Sequence, residues 1–325
     1  MNRRKDIYCE KEFWGTLSNE LSARILSPDP NTIHQEQNLI DWYGLLRRSN
    51  VFFDCSYEEI VNTARKDMYL AELIKNSGAA YGEIASSPGA IASMCNGPAQ
   101  MNTQMYSSLF LSKETHTNQS RKVGVINIGS NEIHQTTHLF NDCGPSICRD
   151  SSQDWFQILK SAHADQNCNS MIIADKYIFK DVNANLYKIL DILLPQKLGT
   201  TFYLSIFSLD GCTDSKVEEF RLQLDKKIHE VRPELSYSLE VFGCSTDDFH
   251  DRGIITNYLW IEIGAGFNLI KKGRARITTN IHVTYPMIIS QERVKSSCDG
   301  YWNIIEDAKR CLRTRHKSSN NRLLR

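Results

Sequence analysis

The chain has 325 residues, of which 41% are hydrophobic, 10% aromatic and 23% charged, a composition that supports two ordinary hydrophobic cores and excludes a disordered chain. Its 38 basic and 38 acidic residues cancel, so no strong overall field directs it to a polyanion; the balance runs from 15 basic and 19 acidic up to residue 170 to 23 and 19 beyond it. Ten cysteines form no CxxC pair and no window holds 18 uninterrupted apolar residues, which predicts reduced thiols, a cytoplasmic protein, no metal centre and no transmembrane segment.

Residues 1–120 read as a mainly helical or α+β domain of unassigned role. Apolar residues three and four apart predict helices over Glu12 to Ile25 and over Tyr57 to Asn76, the second opened by a capping box of Ser56 and Glu59. Val51 to Cys55 (VFFDC) lies between them as a buried-strand candidate. From Ser77 to Ser120 the chain turns to Gly, Ala, Ser, Asn, Thr and Met, and reads as an irregular connector. Residues 121–170 form a connecting α/β segment, with a strand at Val123 to Ile128 and a helix over Asp154 to Ala164.

The pattern sharpens over residues 171–315, where strand and helix stretches alternate at α/β lengths. Strands are predicted at Met171 to Phe179, Thr201 to Leu209, Tyr237 to Gly243, Tyr258 to Gly264 and Ile277 to Ile289. Helices are predicted at Asn185 to Leu194, at Asp214 to Val231 with Val217, Phe220, Leu224 and Ile228 on one face, and at Cys298 to Leu312. Residues 316–325 read as a basic tail, either a solvated terminus or a segment that tracks phosphates.

One stretch carries chemistry: FHDRGIITNYLWIEIGAGFN, residues 249–268. It resembles the phospholipase D superfamily signature HxKxxxxDxxxxxxGSxN, with His250 at the His, Arg252 at the Lys, Asn257 at the Asp, Gly264 at the Gly and Ala265 at the Ser. The wording HDR, followed by a strand and an IGxG turn, is more similar to the phospholipase-D-like domain at the C-terminus of MIT-domain proteins and to related bacterial His-Asp-Arg domains associated with anti-phage defence. The resemblance covers residues 170–315 and implies a mixed sheet flanked by helices.

The resemblance also implies a site without metal or cofactor. His250, Arg252 and Asn257 would be the catalytic set, and Gly264, Ala265, Gly266 and Asn268 would surround the phosphate, with Arg252 neutralising charge on its oxygens. Asn257 carries no charge and Ala265 no hydroxyl, which places phosphate recognition ahead of hydrolysis. The implied function is binding of nucleic acid or another phosphorylated partner within a defence assembly, alongside its other subunits. A metal-independent phosphodiesterase is the alternative; with one motif per chain it would act as a homodimer through His250. A protein-interaction scaffold is the third reading.

Each residue also has a plainer role. His250 could bond Asp247, Asp248 or Asp251; Arg252 could pair with Asp251 or Glu262; Gly264 and Gly266 could serve only a tight turn; Trp260 alternates as packing. Lys271, Lys272, Arg274 and Arg276 would extend a positive surface to nucleic acid or form a solvated face. Cys143 to Cys148 (CGPSIC) lacks further ligands, and Ile173 to Lys176 (IADK) sets Asp and Lys at a strand edge, a commonplace pairing.

Overall fold

The structure, a computed structural model, describes residues 4–26, 33–78, 81–96, 109–113, 122–208, 212–245, 248–249, 252–264, 266–286, 288 and 295–325. The chain divides into two units, Met1–Phe140 with Met287–Ser290, and Asn141–Pro286 with Gln291–Arg325. The division falls inside the 121–170 segment, whose strand belongs to the first unit and whose helix belongs to the second.

The first unit runs β1 (Asp6–Cys9), α1 (Lys11–Leu26), α2 (Ile33–Arg47), β2 (Asn50–Phe53), α3 (Tyr57–Ala64), α4 (Met68–Asn76), β3 (Ile84–Ser86), α5 (Ala90–Asn96), β4 (Leu109–Ser112) and β5 (Ile126–Gly129). Its strands form a parallel sheet in the order β3-β2-β1-β4-β5. The expectation of a mainly helical or α+β domain is therefore corrected to a doubly wound α/β unit. Parallel strands covered on both faces lose the polar alternation that marks a strand, and strands of three or four residues leave only fragments such as LFLS to read. The helix expected over Tyr57 to Asn76 is broken before Met68. There Asp67 caps α4 by accepting from the backbone N–H of Tyr69 and Leu70, both at 3.0 Å, and also accepts from the Trp14 indole at 2.7 Å.

The second unit contains β6 (Ser146–Ile147), α6 (Trp155–Ser161), β7 (Ser170–Ala174), a π-helical turn (Val182–Leu186), α7 (Tyr187–Leu193), β8 (Phe202–Ser208), α8 (Asp214–Val231) and β9 (Tyr237–Gly243). It continues with β10 (Gly253–Thr256), β11 (Trp260–Ile263), the hairpin β12 (Ile270–Lys271) and β13 (Arg274–Ala275), β14 (Thr279–Thr284) and α9 (Lys295–Thr314). Seven strands form one mixed sheet, β6-β14-β11-β10-β7-β8-β9. β7, β8 and β9 are parallel and linked through α7 and α8, while β10, β11, β14 and β6 add antiparallel. This is the α/β architecture expected from the alternating pattern. Among the described residues no helix is long and apolar enough to cross a membrane.

The expected solvated tail is instead seated on the sheet. Asn321, 1% exposed, donates its amide to Met171 O at 2.9 Å and Ser205 Oγ at 3.1 Å, while its Oδ1 accepts from Leu323 N–H at 3.0 Å. Glu240 accepts from Ser205 Oγ and from the Asn320 N–H, each at 2.8 Å, and from Ser319 Oγ. Arg322 and Arg325 lie over the Tyr203 ring. Asn321→Ala is expected to lower stability by about 1–3 kcal/mol, because buried partners lose their bonds. A denaturant midpoint that falls at unchanged m-value would show it, and a shift worth less than about 0.5 kcal/mol would show that other contacts hold the tail.

Candidate anion site at the carboxyl end of β7

Because β7, β8 and β9 are parallel, their carboxyl ends share one edge of the sheet, the edge where open α/β sheets place ligands. Asp175 and Lys176 leave β7 there, Phe207 is near the end of β8, and Ser245 follows β9; with Phe249 and Arg252 they line one cleft. Arg252 arrives because β10 runs antiparallel beside β7 with Gly253 opposite Ala174. A side chain on Gly253 would collide with the Trp260 ring at 2.2 Å and with Ile261 O at 2.6 Å, so this strand passes beneath the indole only as glycine.

Asp175 organises the cleft. It is 2% exposed, its Oδ1 accepts from Tyr177 N–H at 2.6 Å, and its Oδ2 accepts from Phe267 N–H at 2.7 Å. Its own carbonyl accepts from Ser208 Oγ at 2.6 Å. Burial raises the Asp175 pKa above the ordinary carboxylate value, against the opposing pull of the Phe267 and Tyr177 N–H groups and the Arg252 charge. Gly266 has φ 77°, and a Cβ there would sit 2.5 Å from Asp175 Oδ2 and 3.7 Å from Arg252 Cδ. Glycine at 266 is thus required by both backbone conformation and space.

Three cations converge on Tyr177. Lys180 Nζ lies 4.1 Å, Lys176 Nζ 4.7 Å and Arg252 Cζ 5.6 Å from its ring centroid. The Lys176 ammonium at the phenol oxygen lowers the Tyr177 pKa, and the charges of Lys176, Lys180 and Arg252 push the same way. None of the three is within ion-pair distance of a described carboxylate, Glu262 included, so that partner for Arg252 is not realised.

The segment leading to Arg252 is tied down from α9. Asp248 accepts from Ser245 N–H at 2.6 Å and from Arg315 at 3.1 Å, and its carbonyl accepts from Arg310 at 3.0 Å. Burial opposes its charge, yet the Ser245 N–H and the Arg315 guanidinium together hold its pKa below the ordinary value. Phe249 packs against Phe207 with ring centroids 5.3 Å apart.

The sequence-derived site is only partly assembled here. Arg252 and Gly266 are in place; His250 and Ala265, with Asp247 and Asp251, lie outside the described residues. Asn257 is a correction. It sits in the turn after β10, fully buried, where its Oδ1 accepts from Asn169 N–H at 3.0 Å and its N–H donates to Ser170 O at 3.2 Å. The length of β10 separates it from Arg252, about 16 Å at 3.3 Å per residue, so it closes the far end of the sheet and is no member of the catalytic set. Gly264 is exposed with nothing near its Cβ position, and Asn268 is half-buried in the turn after Phe267, whose backbone N–H donates to Asp175. Lys271, Lys272, Arg274 and Arg276 do not line the cleft; they stand exposed on the β12–β13 hairpin. Trp260 is 1% exposed, as its alternation predicts.

Sequence reasoning set aside Asp175 and Lys176 and overlooked Tyr177 and Lys180. The available signal was position: IADK closes the first apolar strand of a strand-helix-strand crossover, which puts it at a ligand-binding edge. Among the described residues no group of three or more His, Cys, Asp or Glu side chains is arranged to hold a metal ion.

The chain matches no family model and no curated protein. The functional reading therefore rests on the cleft itself.

Proposed function

We propose that the second unit recognises a phosphate group through Arg252, Lys176 and Lys180 arranged around Tyr177, and that it binds the group without hydrolysing it. The observation that carries this reading is the convergence on one ring, 4.1 to 5.6 Å from its centroid, of three cations that pair with no described carboxylate. Three like charges gathered around one ring repel one another, a cost that a bound dianion converts into attraction. Arg252 supplies a planar fork for two phosphate oxygens, and the lysines supply point charges. Asp175 opposes them only in its charged form, which burial disfavours, and its two oxygens are engaged by backbone N–H groups. Ala265, in place of a hydroxyl residue, supports binding ahead of hydrolysis.

Titration of the full chain with inorganic phosphate, followed by calorimetry, tests the reading. Arg252→Ala is expected to weaken binding at least tenfold, about 1.4 kcal/mol, with Arg252→Lys falling between, because the ammonium keeps the charge and loses the fork. Equal affinity in all three proteins would overturn it. Cleavage of labelled DNA or RNA in EDTA, abolished by His250→Ala, would replace binding with phosphodiesterase chemistry.

A further inference from the structure

The hairpin β12–β13 presents a charge arrangement that the cleft alone does not use. Its register sets Lys271 directly opposite Arg274, and its turn passes through Lys272 (φ 49°) and Gly273 (φ 77°), with Arg276 just beyond. Directly opposed like charges destabilise a strand pair, and a two-stranded ribbon has little stability of its own. All four cations are exposed, and none is paired with a described carboxylate.

The ribbon is nonetheless firmly built. Asn185, 1% exposed, accepts from Ile270 N–H at 3.3 Å and donates to Ile270 O at 3.2 Å, and it also accepts from the Trp155 indole at 3.1 Å. Ala275 N–H donates to Ser151 O at 3.0 Å and Arg276 N–H to Leu269 O at 2.9 Å. Ile270 and Ala275 are buried beneath it. The fold thus spends buried hydrogen bonds to hold four mutually repelling cations in a fixed row, the preorganisation expected of a polyanion contact.

The other basic stretch of this unit behaves differently. Arg310 pairs with Asp307, Arg315 with Asp248 and Lys317 with Asp214, while Arg322 and Arg325 cover Tyr203. Those charges are satisfied internally. The Tyr177 group and the hairpin cations have no carboxylate partner among the described residues, and both are fixed to the same unit. Gly266, against Asp175, precedes Lys272 by six residues, a span of at most about 20 Å. The hairpin cations therefore lie within reach of a chain that places one of its phosphates at the cleft.

We infer that the ligand is a single-stranded nucleic acid whose backbone runs from the Tyr177 cleft along the β12–β13 hairpin, a deepening that rests on the phosphate reading above. An aromatic ring among cations beside a basic track is the composition with which single strands are bound without sequence preference. An anionic membrane fits less well, because the hairpin strands' own apolar residues, Ile270 and Ala275, are buried and Ile277 beside them is the one partly exposed apolar side chain of residues 270–277.

The test uses the full chain and the variant Lys271→Gln/Lys272→Gln/Arg274→Gln/Arg276→Gln, with a labelled oligothymidylate in fluorescence anisotropy over a salt series. The variant is expected to bind at least tenfold more weakly, with a log-affinity against log-salt slope shallower by about 2–3, since each phosphate contact on a single strand contributes about 0.7. Its affinity for inorganic phosphate should stay at the wild-type value, and its Tm should hold or rise as the repulsion is relieved. A lower Tm would assign the four residues a structural role and overturn the inference. Unchanged oligonucleotide affinity and slope would overturn it while leaving the phosphate cleft standing; absence of inorganic phosphate binding in the wild type would instead remove the reading beneath it. Hairpin-dependent binding to phosphatidylserine vesicles without oligonucleotide binding would assign the row to a membrane and also overturn it.

Discussion

Gly266→Ala is expected to destabilise the second unit by about 2–5 kcal/mol and to abolish phosphate binding in whatever protein remains folded. Two costs combine. A side chain at φ 77° occupies the left-handed region, which costs about 1–3 kcal/mol for an L residue outside glycine. The new Cβ would also stand 2.5 Å from Asp175 Oδ2, a separation no real pair of atoms keeps, so the carboxylate must swing away from Phe267. That movement leaves a buried N–H without its acceptor, worth about another 1–3 kcal/mol. It also releases the loop that closes the cleft beside Arg252.

Thermal melting should report a fall of roughly 4–20 °C, at about 2–4 °C per kcal/mol for a unit of this size. Gly264→Ala provides the comparison, since no atom lies within 4 Å of its Cβ position and its φ is not in the left-handed region. It should change stability by less than about 0.5 kcal/mol. If the two substitutions behave alike, Gly266 is a turn residue and nothing more.

What the sequence discloses depends on how local the determining contacts are. The capping box of Ser56 and Glu59 is read directly and is present, with the Glu59 side chain accepting from the Ser56 N–H at 3.0 Å. The second unit is legible because β8 and β9 run to seven residues and α8 to 18, lengths at which periodicity is distinct. Of the first unit's sheet, β2 and β5 are legible as VFFDC and VGVINI, whereas β1 is not and β3 and β4 lie within the stretch from Ser77 to Ser120 that reads as an irregular connector, because strands of three or four residues carry too little pattern.

The site divides along the same line. Arg252 is found from spacing, since it and its motif neighbours are close in sequence. Spacing does not reveal which end of a strand a residue occupies, which is how Asn257 comes to be 0% exposed at the opposite end of β10. Asp175, Lys176 and Lys180 meet Arg252 only through the antiparallel register of β7 and β10, across more than seventy positions of chain, a pairing that no local pattern encodes. Asn321 is the same case on the sheet's other side of the argument: one polar residue in a basic tail is a solvent residue by composition and a buried wedge by contact.

Asp175 carries the other large expected effect, because a single carboxylate satisfies two buried N–H donors. Asp175→Ala removes both acceptors and is expected to cost about 2–5 kcal/mol. Asp175→Asn keeps one carbonyl oxygen and turns an amide N–H toward the second donor, so it should cost less, and the variant's own stability carries no titration from this position. The pH dependence then distinguishes the carboxyl group from its shape. Burial holds the folded pKa above the ordinary value, so the native state binds a proton more tightly than the unfolded chain. Stability from this group is therefore fully present below the ordinary carboxylate pKa and is lost as pH rises through the raised folded value.

The stability advantage of wild type over Asp175→Asn should accordingly shrink with rising pH across that window. Sulfate binding should follow the same course, since its charge is constant there while protonation of Asp175 removes a negative neighbour of Arg252. Affinity for sulfate should rise as pH falls through the window in the wild type, and the part of that rise due to Asp175 should be missing from Asp175→Asn. Parallel sulfate-affinity profiles in the two proteins would show that the Asp175 charge does not reach the anion, and would confine its role to holding Tyr177 and Phe267.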